Sequence, residues 1–280
     1  MNVNTAVRPH SIVVFAEAPQ LAVSGGTVRR ARGQNFLVDW ITVSGETDVV
    51  VESEAETMLL LPGPGATIRR AEDEVSAPSR SVCLLPPGRH LVRPENAGLL
   101  MLLRSAASEA EYASAGNVAA YVPLDPRVAL PGAAWTCRRT GISVVQVDRM
   151  PPAAGRPRLK MLQSATLSIN WVEYEGVRDR TQLSPHSHDD FEQGSLAIQG
   201  DFMHHLRVPW GPDATQWRDD VHLEAPAGSL AIIPPGVIHT TEGIGSERHL
   251  LIDVFCPPRA DFIAKGWVAN SEDYNAPSIS

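Results

Sequence analysis

The sequence predicts an all-β fold of the sandwich or barrel type, and three observations support this prediction. Short runs rich in Val, Ile, Leu and aromatic residues recur along the whole chain, and each has about the length of a strand. Turn residues separate these runs, since the 280 residues include 23 prolines and 21 glycines. Few windows carry the apolar spacing of a helix, and the exceptions are the segments 105–121 and 259–270.

The predicted strands follow one another with the same pattern in both halves of the chain. β-branched residues, Leu and aromatic residues fill most of each run, which suits a pleated and partly buried surface. The runs of the first half are SIVVFAE, FLVDWITV, DVVVES, TMLLLP, SVCLLP, HLVRP and LLMLLRS. The runs of the second half are ISVVQVD, ATLSINWVEYEG, SLAIQGDFMHHLRV, VHLEAP, SLAIIPP and HLLIDVFCPP. One interruption rich in Ala, Ser and Pro, near residues 105–140, separates the two series.

A repeated phrase on the two sides of this interruption indicates an internal duplication. Residues 81–88 read SVCLLPPG, and residues 229–236 read SLAIIPPG. Because strand-like runs fill both halves, the repeat predicts two copies of one β-fold. We place the two expected domains at residues 1–125 and 126–280.

A histidine follows each copy of the phrase, but not at the same distance. His90 lies two residues beyond the first Pro-Pro-Gly, whereas His239 lies three residues beyond the second. Neighbouring residues of a strand face opposite sides of the sheet. We therefore expect at most one of the two histidines to face the interior of its domain.

Composition and charge narrow the classes of partner. The formal net charge of −8 and the absence of a basic run argue against a nucleic-acid-binding protein. No apolar run approaches the roughly 18 residues of a membrane span, and the first residues lack the pattern of a signal peptide. The three cysteines are widely spaced and odd in number, which argues against a disulfide framework. We expect a soluble cytoplasmic protein that binds neither nucleic acid nor membrane.

The stretch PHSHDDFEQG, residues 185–194, contains a candidate metal site. His186 and His188 have the two-residue spacing that places both side chains on one face of a strand. Gln193 begins the next predicted strand, and His239 follows the tight Pro-Pro-Gly turn. Three imidazoles and one side-chain oxygen on neighbouring strands are a suitable ligand set for a divalent first-row metal.

These motifs resemble those of the cupin family. The first cupin motif, G-x5-H-x-H-x(3,4)-E-x6-G, is similar to PHSHDDFEQGSLAIQG, although Arg180 stands where the motif has its leading Gly. The second motif, G-x5-P-x-G-x2-H-x3-N, is similar to GSLAIIPPGVIHTTEG, with Gly243 in place of the Asn. The resemblance implies two cupin-type barrels of the double-stranded β-helix, or jelly-roll, kind. The first half would then be a degenerate copy without metal ligands.

The identity of the third ligand is the main departure from the cupin pattern. The six-residue gap before Gly200 selects Gln193 rather than Glu192, while the gap after His188 allows either residue. Some cupins, among them uronate ring-opening proteins, carry a Glu-Gln pair whose Gln is the ligand. We therefore favour Gln193 and expect Glu192 to face the other side of the strand. A neutral Gln ligand would leave a divalent metal with a net charge of +2, which favours Lewis-acid chemistry on acidic substrates.

The resemblance implies a metal-dependent enzyme that acts on a small oxygenated or acidic organic molecule. Dioxygenase chemistry at Fe(II) is the favoured reaction, with Zn, Mn or Ni as alternative metals. One alternative is a non-redox enzyme that isomerises or opens the ring of a sugar acid. The other is a non-catalytic cupin that binds a small ligand. By the same resemblance we expect a homodimer.

Three residues are candidates for moving protons at this site. Tyr174 lies on the strand that precedes the His-x-His stretch and lines the pocket if its face is the inner one. His204 shares a strand face with Phe202 and Leu206, where it contacts substrate or serves as a hydrogen-bonded core histidine. Glu192 is the third candidate.

Overall fold

The computed structural model describes residues 6–45, 47–105 and 107–277. Strands dominate these ranges, as the sequence predicts. In chain order they are β1 Ser11–Val14, β2 Gln20–Val23, β3 Gly26–Arg32, β4 Leu37–Val43, β5 Val49–Ser53, β6 Thr57–Leu61, β7 Ala66–Arg70, β8 Asp73–Ala77, β9 Ser81–Leu85, β10 Gly88–Pro94, β11 Gly98–Arg104, β12 Thr136–Cys137, β13 Ser143–Gln146, β14 Met161–Gln163, β15 Ser168–Glu175, β16 Gln193–Gln199, β17 Asp201–Arg207, β18 Val221–Ala225, β19 Ser229–Ile233, β20 Ile238–Ile244, β21 Arg248–Phe255 and β22 Tyr274–Asn275.

Short helices lie in both segments that the sequence marks as helical. Helix α1 spans Glu109–Ala113 and begins at a capping box, in which the Ser108 side chain and Glu111 satisfy each other's backbone amides. Helix α2 spans Ala260–Ala264. Single 3-10 turns connect several strands; they span Phe15–Glu17, Val118–Tyr121, Val147–Arg149, Ala214–Gln216 and Ser271–Asp273. In the described part of the chain, no helix has the length and hydropathy of a membrane span.

Four sheets stack in layers to form two sandwiches. The first sandwich packs a seven-stranded sheet, in the order β13-β9-β6-β11-β4-β3-β2, on a four-stranded sheet, β5-β10-β7-β8. The second sandwich packs a six-stranded sheet, β1-β19-β16-β21-β15-β14, on a three-stranded sheet, β18-β17-β20. All of these pairings are antiparallel. The fold is therefore all-β, as predicted.

The two large sheets pack against each other through one apolar core. Side chains such as Val38, Leu60 and Met101 of the first sandwich share this core with Trp171 and Ile252 of the second. The central strands are thus buried on both faces, one inside their own sandwich and one against the other sandwich. This is why runs such as TMLLL and SLAII are apolar at nearly every position instead of alternating.

Two strands lie in the large sheet of the opposite half of the chain. Strand β1 pairs with β19 from Ser11↔Ile232 to Val14↔Ser229. Strand β13 pairs with β9 from Ser143↔Leu84 to Gln146↔Ser81. The domain boundary between residues 125 and 126 stays a prediction. Strand β1, before this boundary, joins the large sheet of the second half, and β13, after it, joins the large sheet of the first half.

The expectation that at most one of His90 and His239 faces the interior of its domain is wrong. Both side chains are buried, with 1% and 2% of their surface exposed. His90 shares its strand face with Val92, which belongs to the interior core of the first sandwich. The turn absorbs the one-residue difference, because β10 begins at the Gly of Pro-Pro-Gly whereas β20 begins two residues beyond it.

Candidate metal site

Three histidines converge at one end of the second sandwich. His186 and His239 form an antiparallel bridge, with backbone N–H···O distances of 3.0 and 2.7 Å. His188 follows at the two-residue spacing, and its carbonyl accepts a hydrogen bond from Gly236 in the Pro-Pro-Gly turn. One nitrogen of each ring lies within 4.8 Å of the other two. Among the described residues, no other group of three His, Cys, Asp or Glu donors meets this closely.

Gln193 points its side-chain oxygen at the same place. It is the first residue of β16 and only 3% exposed. Its Oε1 atom lies 3.1 Å from Nε2 of His188 and 3.2 Å from Nε2 of His239. Two ligands at right angles on an ion at about 2.1 Å are about 3.0 Å apart, so these separations, which also suit hydrogen bonds, are compatible with donors that share one cation.

A buried carboxylate fixes the orientation of the Gln193 amide. Its Nε2 donates to Asp253 Oδ1 at 2.9 Å and to Ser195 Oγ at 3.0 Å. Ser195 Oγ in turn donates to the same Asp253 oxygen at 2.9 Å. Burial raises the pKa of Asp253 to about 6, so this carboxylate is ionised at neutral pH. Both amide hydrogens are used, and Oε1 is the atom left to face the histidines.

The hydrogen bonds of His239 leave one contact that the protein cannot satisfy. Its Nδ1 lies 3.0 Å from the Val237 carbonyl, and its Nε2 lies 3.2 Å from Gln193 Oε1. A neutral imidazole has one N–H and can donate to only one of these oxygens. Burial and the neighbouring His186 lower the pKa of His239 to about 3, so a second proton is absent at neutral pH. A cation between Nε2 and Oε1 would remove the repulsion between the two acceptors, so the donor set fits a metal ion.

An aromatic wall supports His188 from the side away from the other histidines. Its ring stacks on Phe191 with centroids 4.2 Å apart, and Phe255 meets it edge-on at 5.8 Å. Burial and the neighbouring His186 lower the pKa of His188 to about 4. The ring is therefore neutral and able to offer a lone pair to a metal at physiological pH.

Glu192 lies directly before β16, and its side chain points away from the three histidines, toward the first sandwich. Its carboxylate is 5% exposed and lies between the two sandwiches. It accepts hydrogen bonds from the Gln34 backbone N–H and, at 3.3 Å, from the Tyr121 hydroxyl. Burial raises the pKa of Glu192 to about 7. This position gives no geometric support for Glu192 as a proton carrier at the histidines.

The variant Glu192→Gln should change how stability depends on pH. A carboxyl whose folded-state pKa is raised stabilises the fold fully below its ordinary value of 4.5, and this contribution is lost as the pH rises toward about 7. The amide of the variant is neutral at every pH. The free energy of unfolding of the variant should therefore rise relative to that of the wild type by up to about 3 kcal/mol as the pH rises from 5 to 8. Chemical unfolding of both metal-free proteins at the two pH values measures the difference. A difference independent of pH would contradict the raised pKa of Glu192.

Tyr174 and His204 lie inside the second sandwich but have other partners. The Tyr174 hydroxyl accepts the backbone N–H of Gly243 at 2.7 Å, and its ring stacks on His249. Tyr174 is four residues along β15 from Asn170, which is opposite Asp253, and this corresponds to about 13 Å. His204 is fully buried, and its Nδ1 is 2.8 Å from Thr241 Oγ1. These contacts favour the core-histidine interpretation of His204 and give Tyr174 no direct reach to the metal ligands.

Gly243 occupies the position at which the cupin motif has Asn, and the structure explains the difference. A Cβ atom at this position would run into the His249 ring and lie 2.6 Å from the Tyr174 hydroxyl. We expect Gly243→Ala to destabilise the protein by about 1–3 kcal/mol through overpacking. Gly211→Ala is the matched control, because a Cβ there meets open space. Thermal unfolding measures both, and equal shifts in the two variants would contradict the packing argument.

Sequence reasoning named the three histidines and Gln193 as candidate ligands, and the structure brings their side chains together, but it missed Asp253 and Ser195. Asp253 is the only charged residue in the apolar run LLIDVF. An isolated acid inside a predicted buried strand is a signal of a polar partner on the same face. That partner could not be named from the sequence, because Ser195 and Asp253 are brought opposite each other only by the pairing of β16 with β21.

Comparisons with known proteins show the fold. No protein-family model matches the chain, and no curated protein matches it by sequence.

Solved structures of oxalate decarboxylases, which are cupins, do match it. A deletion mutant of the Bacillus subtilis enzyme is 12% identical, with a TM-score of 0.60 over 92% of this chain and 80% of that chain. The Lactobacillus farciminis enzyme in complex with formate is 14% identical, with a TM-score of 0.61 over 92% of this chain and 88% of that one. A further structure of the Bacillus subtilis enzyme, described by its Mn(II) centres, is 13% identical, with a TM-score of 0.60 over 90% of this chain and 78% of that one. The chain thus has the all-β fold of these proteins.

Proposed function

We propose that this chain is a metal-dependent cupin enzyme that acts on a small acidic organic molecule. One divalent cation would be held by His186, His188, His239 and Gln193. The observation that carries this proposal is the pair of acceptors, His239 Nε2 and Gln193 Oε1, that face each other at 3.2 Å without a hydrogen for each contact. A bound divalent cation supplies Lewis-acid chemistry and acidifies a bound water.

The protein's own residues would prepare the site for an acidic substrate. Asp253 and Ser195 hold the Gln193 amide so that its oxygen faces the ligand position. Phe191 and Phe255 pack against the His188 ring and hold it in place. His186 is exposed, so a molecule can approach from its side.

The comparisons favour a different metal from the one expected from the sequence. Fe(II) has no support among the similar structures, whereas the Bacillus subtilis oxalate decarboxylase is described with Mn(II) centres. An amide oxygen is a hard donor, and hard oxygen donors suit Mn(II). We therefore put Mn(II) first for this site and keep Fe(II), Zn and Ni as outcomes of the test.

The substrate class rests on the same comparisons. Oxalate decarboxylases act on a small dicarboxylate, and we propose a small carboxylic acid as the substrate here. Oxygen consumption distinguishes dioxygenase chemistry, which is the reaction expected from the sequence, from non-redox isomerisation. The homodimer stays a proposal from the cupin resemblance, and the cytoplasmic location stays a proposal from the composition of the sequence.

Metal analysis with substrate screening tests the proposal. The purified protein should hold about one equivalent of a divalent first-row metal, and Gln193→Ala should lose most of it. The loaded protein is then incubated with oxalate, keto acids, diketones and catechols while oxygen uptake and carbon dioxide release are recorded. Turnover with oxygen uptake supports a dioxygenase, and turnover without it supports isomerase or decarboxylase chemistry. A protein that binds no metal, or whose metal content is unchanged in Gln193→Ala, would overturn the proposed site.

A further inference from the structure

A second pair of histidines lies on the outer face of the three-stranded sheet. His205 on β17 is directly opposite His222 on β18 in the antiparallel register. On β20 the side chain of His239 points inward, and Glu242, an odd number of residues away, points outward to the same face as His205. This outer cluster of His205, His222 and Glu242 is therefore separated from the candidate metal site by the thickness of the sheet.

The two rings approach each other through the same kind of nitrogen. Nδ1 of His205 lies 2.7 Å from Nδ1 of His222. On the other side of the ring, Nε2 of His205 lies 2.9 Å from Glu242 Oε1. Arg180 contacts the second oxygen of Glu242 at 3.0 Å. The Glu242 side chain is only 6% exposed, so the carboxylate is held in place while His222 is exposed to solvent.

These contacts set the tautomer of His205. A carboxylate accepts hydrogen bonds, so Nε2 of His205 carries the proton and Nδ1 carries the lone pair. That lone pair faces His222. Histidines that bind metals characteristically donate their other ring N–H to a carboxylate, which orients the ring and strengthens the ligand. Glu242 and His205 reproduce this arrangement.

His222 can supply the second lone pair at small cost. Its proton moves from Nδ1 to Nε2, which has no partner within the described residues and belongs to an exposed ring. Two nitrogens at about 2.0–2.1 Å from one ion are roughly 3.0–3.4 Å apart. The present separation of 2.7 Å needs to open by less than about 1 Å, which a rotation of the exposed ring provides.

The surface beside the outer cluster leaves room for the remaining ligands. A cavity of about 410 Å³ adjoins the two histidines, and its other walls include Val177, Met203 and Ile244. Water or a small carboxylate in this cavity can complete a coordination shell that two histidines begin. Zn²⁺ and Cu²⁺ are among the divalent ions that imidazole ligands suit.

We propose that His205 and His222 form a second, peripheral site for Zn²⁺ or Cu²⁺, with Glu242 as the residue that positions His205. This second site does not depend on the cation proposed for the first site, which is formed by His186, His188, His239 and Gln193. With two protein ligands it is the weaker of the two sites, and it fills after the first in a titration.

Zn²⁺ binding in a variant that lacks the first centre tests this proposal. His186→Ala with His188→Ala removes that centre, and equilibrium dialysis against Zn²⁺ alone should still give about one equivalent bound. Adding His222→Ala should weaken the remaining binding by at least about 10-fold, and Glu242→Gln should weaken it by about 10–100-fold. His10→Ala, at a partly exposed histidine elsewhere, is the matched control and should change nothing.

Each result decides the question. Because His222 is exposed, its replacement leaves the fold intact, and a thermal unfolding curve verifies this. Zn²⁺ binding that is absent in the double variant, or unchanged by His222→Ala, overturns the second site. Unchanged affinity in Glu242→Gln overturns the positioning role of that carboxylate. These measurements can be interpreted even if the first centre binds no metal in the wild type, because they use variants that lack the first centre.

Discussion

Gln193→Glu is expected to lower the free energy of unfolding of the metal-free protein by about 3 kcal/mol, and adding Asp253→Asn should recover most of the loss. The amide nitrogen of Gln193 now lies 2.9 Å from the Asp253 carboxylate and donates to it. A glutamate would place a second negative charge at that distance in a fully buried environment. Denaturant unfolding at pH 7.5 with a chelator present measures the effect.

The recovery in the double variant separates this explanation from a simple packing defect. Asn at position 253 donates an N–H to the new carboxylate at position 193. The double variant thus restores a hydrogen bond between the two side chains, with the donor and the acceptor exchanged. Gln199→Glu, at the exposed end of the same strand, is the matched control and should change stability by less than about 0.5 kcal/mol. A double variant no more stable than Gln193→Glu alone would show that Asp253 does not set the orientation of the amide.

His239→Ala is expected to weaken metal binding by about 100–1,000-fold. Structural metal sites with four ligands bind with roughly 10–16 kcal/mol, so one ligand contributes about 3–4 kcal/mol. Each 1.4 kcal/mol corresponds to about tenfold in affinity. Competition with a chelating dye, using Mn²⁺ and Zn²⁺ separately, measures the dissociation constants of the variant and the wild type.

His90→Ala is the control that the internal repeat provides. His90 follows the first copy of the repeated phrase and is buried to the same extent as His239. Its replacement should lower stability without changing the amount of metal bound. A loss of metal in His90→Ala comparable with that in His239→Ala would contradict the assignment of the site to the second sandwich.

Asp253 changes the charge that the sequence predicts for the surroundings of the candidate site. A neutral Gln ligand alone leaves the site with the full charge of a divalent ion. The ionised Asp253 lies one hydrogen bond behind the amide and returns one negative charge to its surroundings. The negative charge that a Glu ligand would supply directly is thus supplied indirectly, and the case for Lewis-acid chemistry that was drawn from the neutral ligand becomes weaker.

Local spacing was enough to predict the convergence of the ligands. The two-residue step from His186 to His188 and the fixed distance from Gln193 to Gly200 depend only on strand geometry. The all-β class likewise follows from runs and turn residues that are close in sequence. These features are visible because each is contained in one strand or one turn.

Features that depend on pairing between distant strands were not predictable. The role of Asp253 depends on its place opposite Ser195 across two strands. The displacement of Tyr174 from the ligands depends on its pairing with His249. The inward position of His90 depends on where its strand begins after the turn. The one-residue difference in spacing between His90 and His239 does not determine that starting point.

The exchange of strands between the two halves has a consequence for synthesis on the ribosome. Residues 11–14 are synthesised well before their partners in β19, which follow about 220 residues later. At about 5–20 residues per second, the first strand therefore waits roughly 10–45 s for its neighbours. Throughout this interval the emerging chain carries an apolar segment with no sheet to join. Chaperone binding to nascent chains should accordingly concentrate around residues 11–14 and be released when residue 233 leaves the exit tunnel.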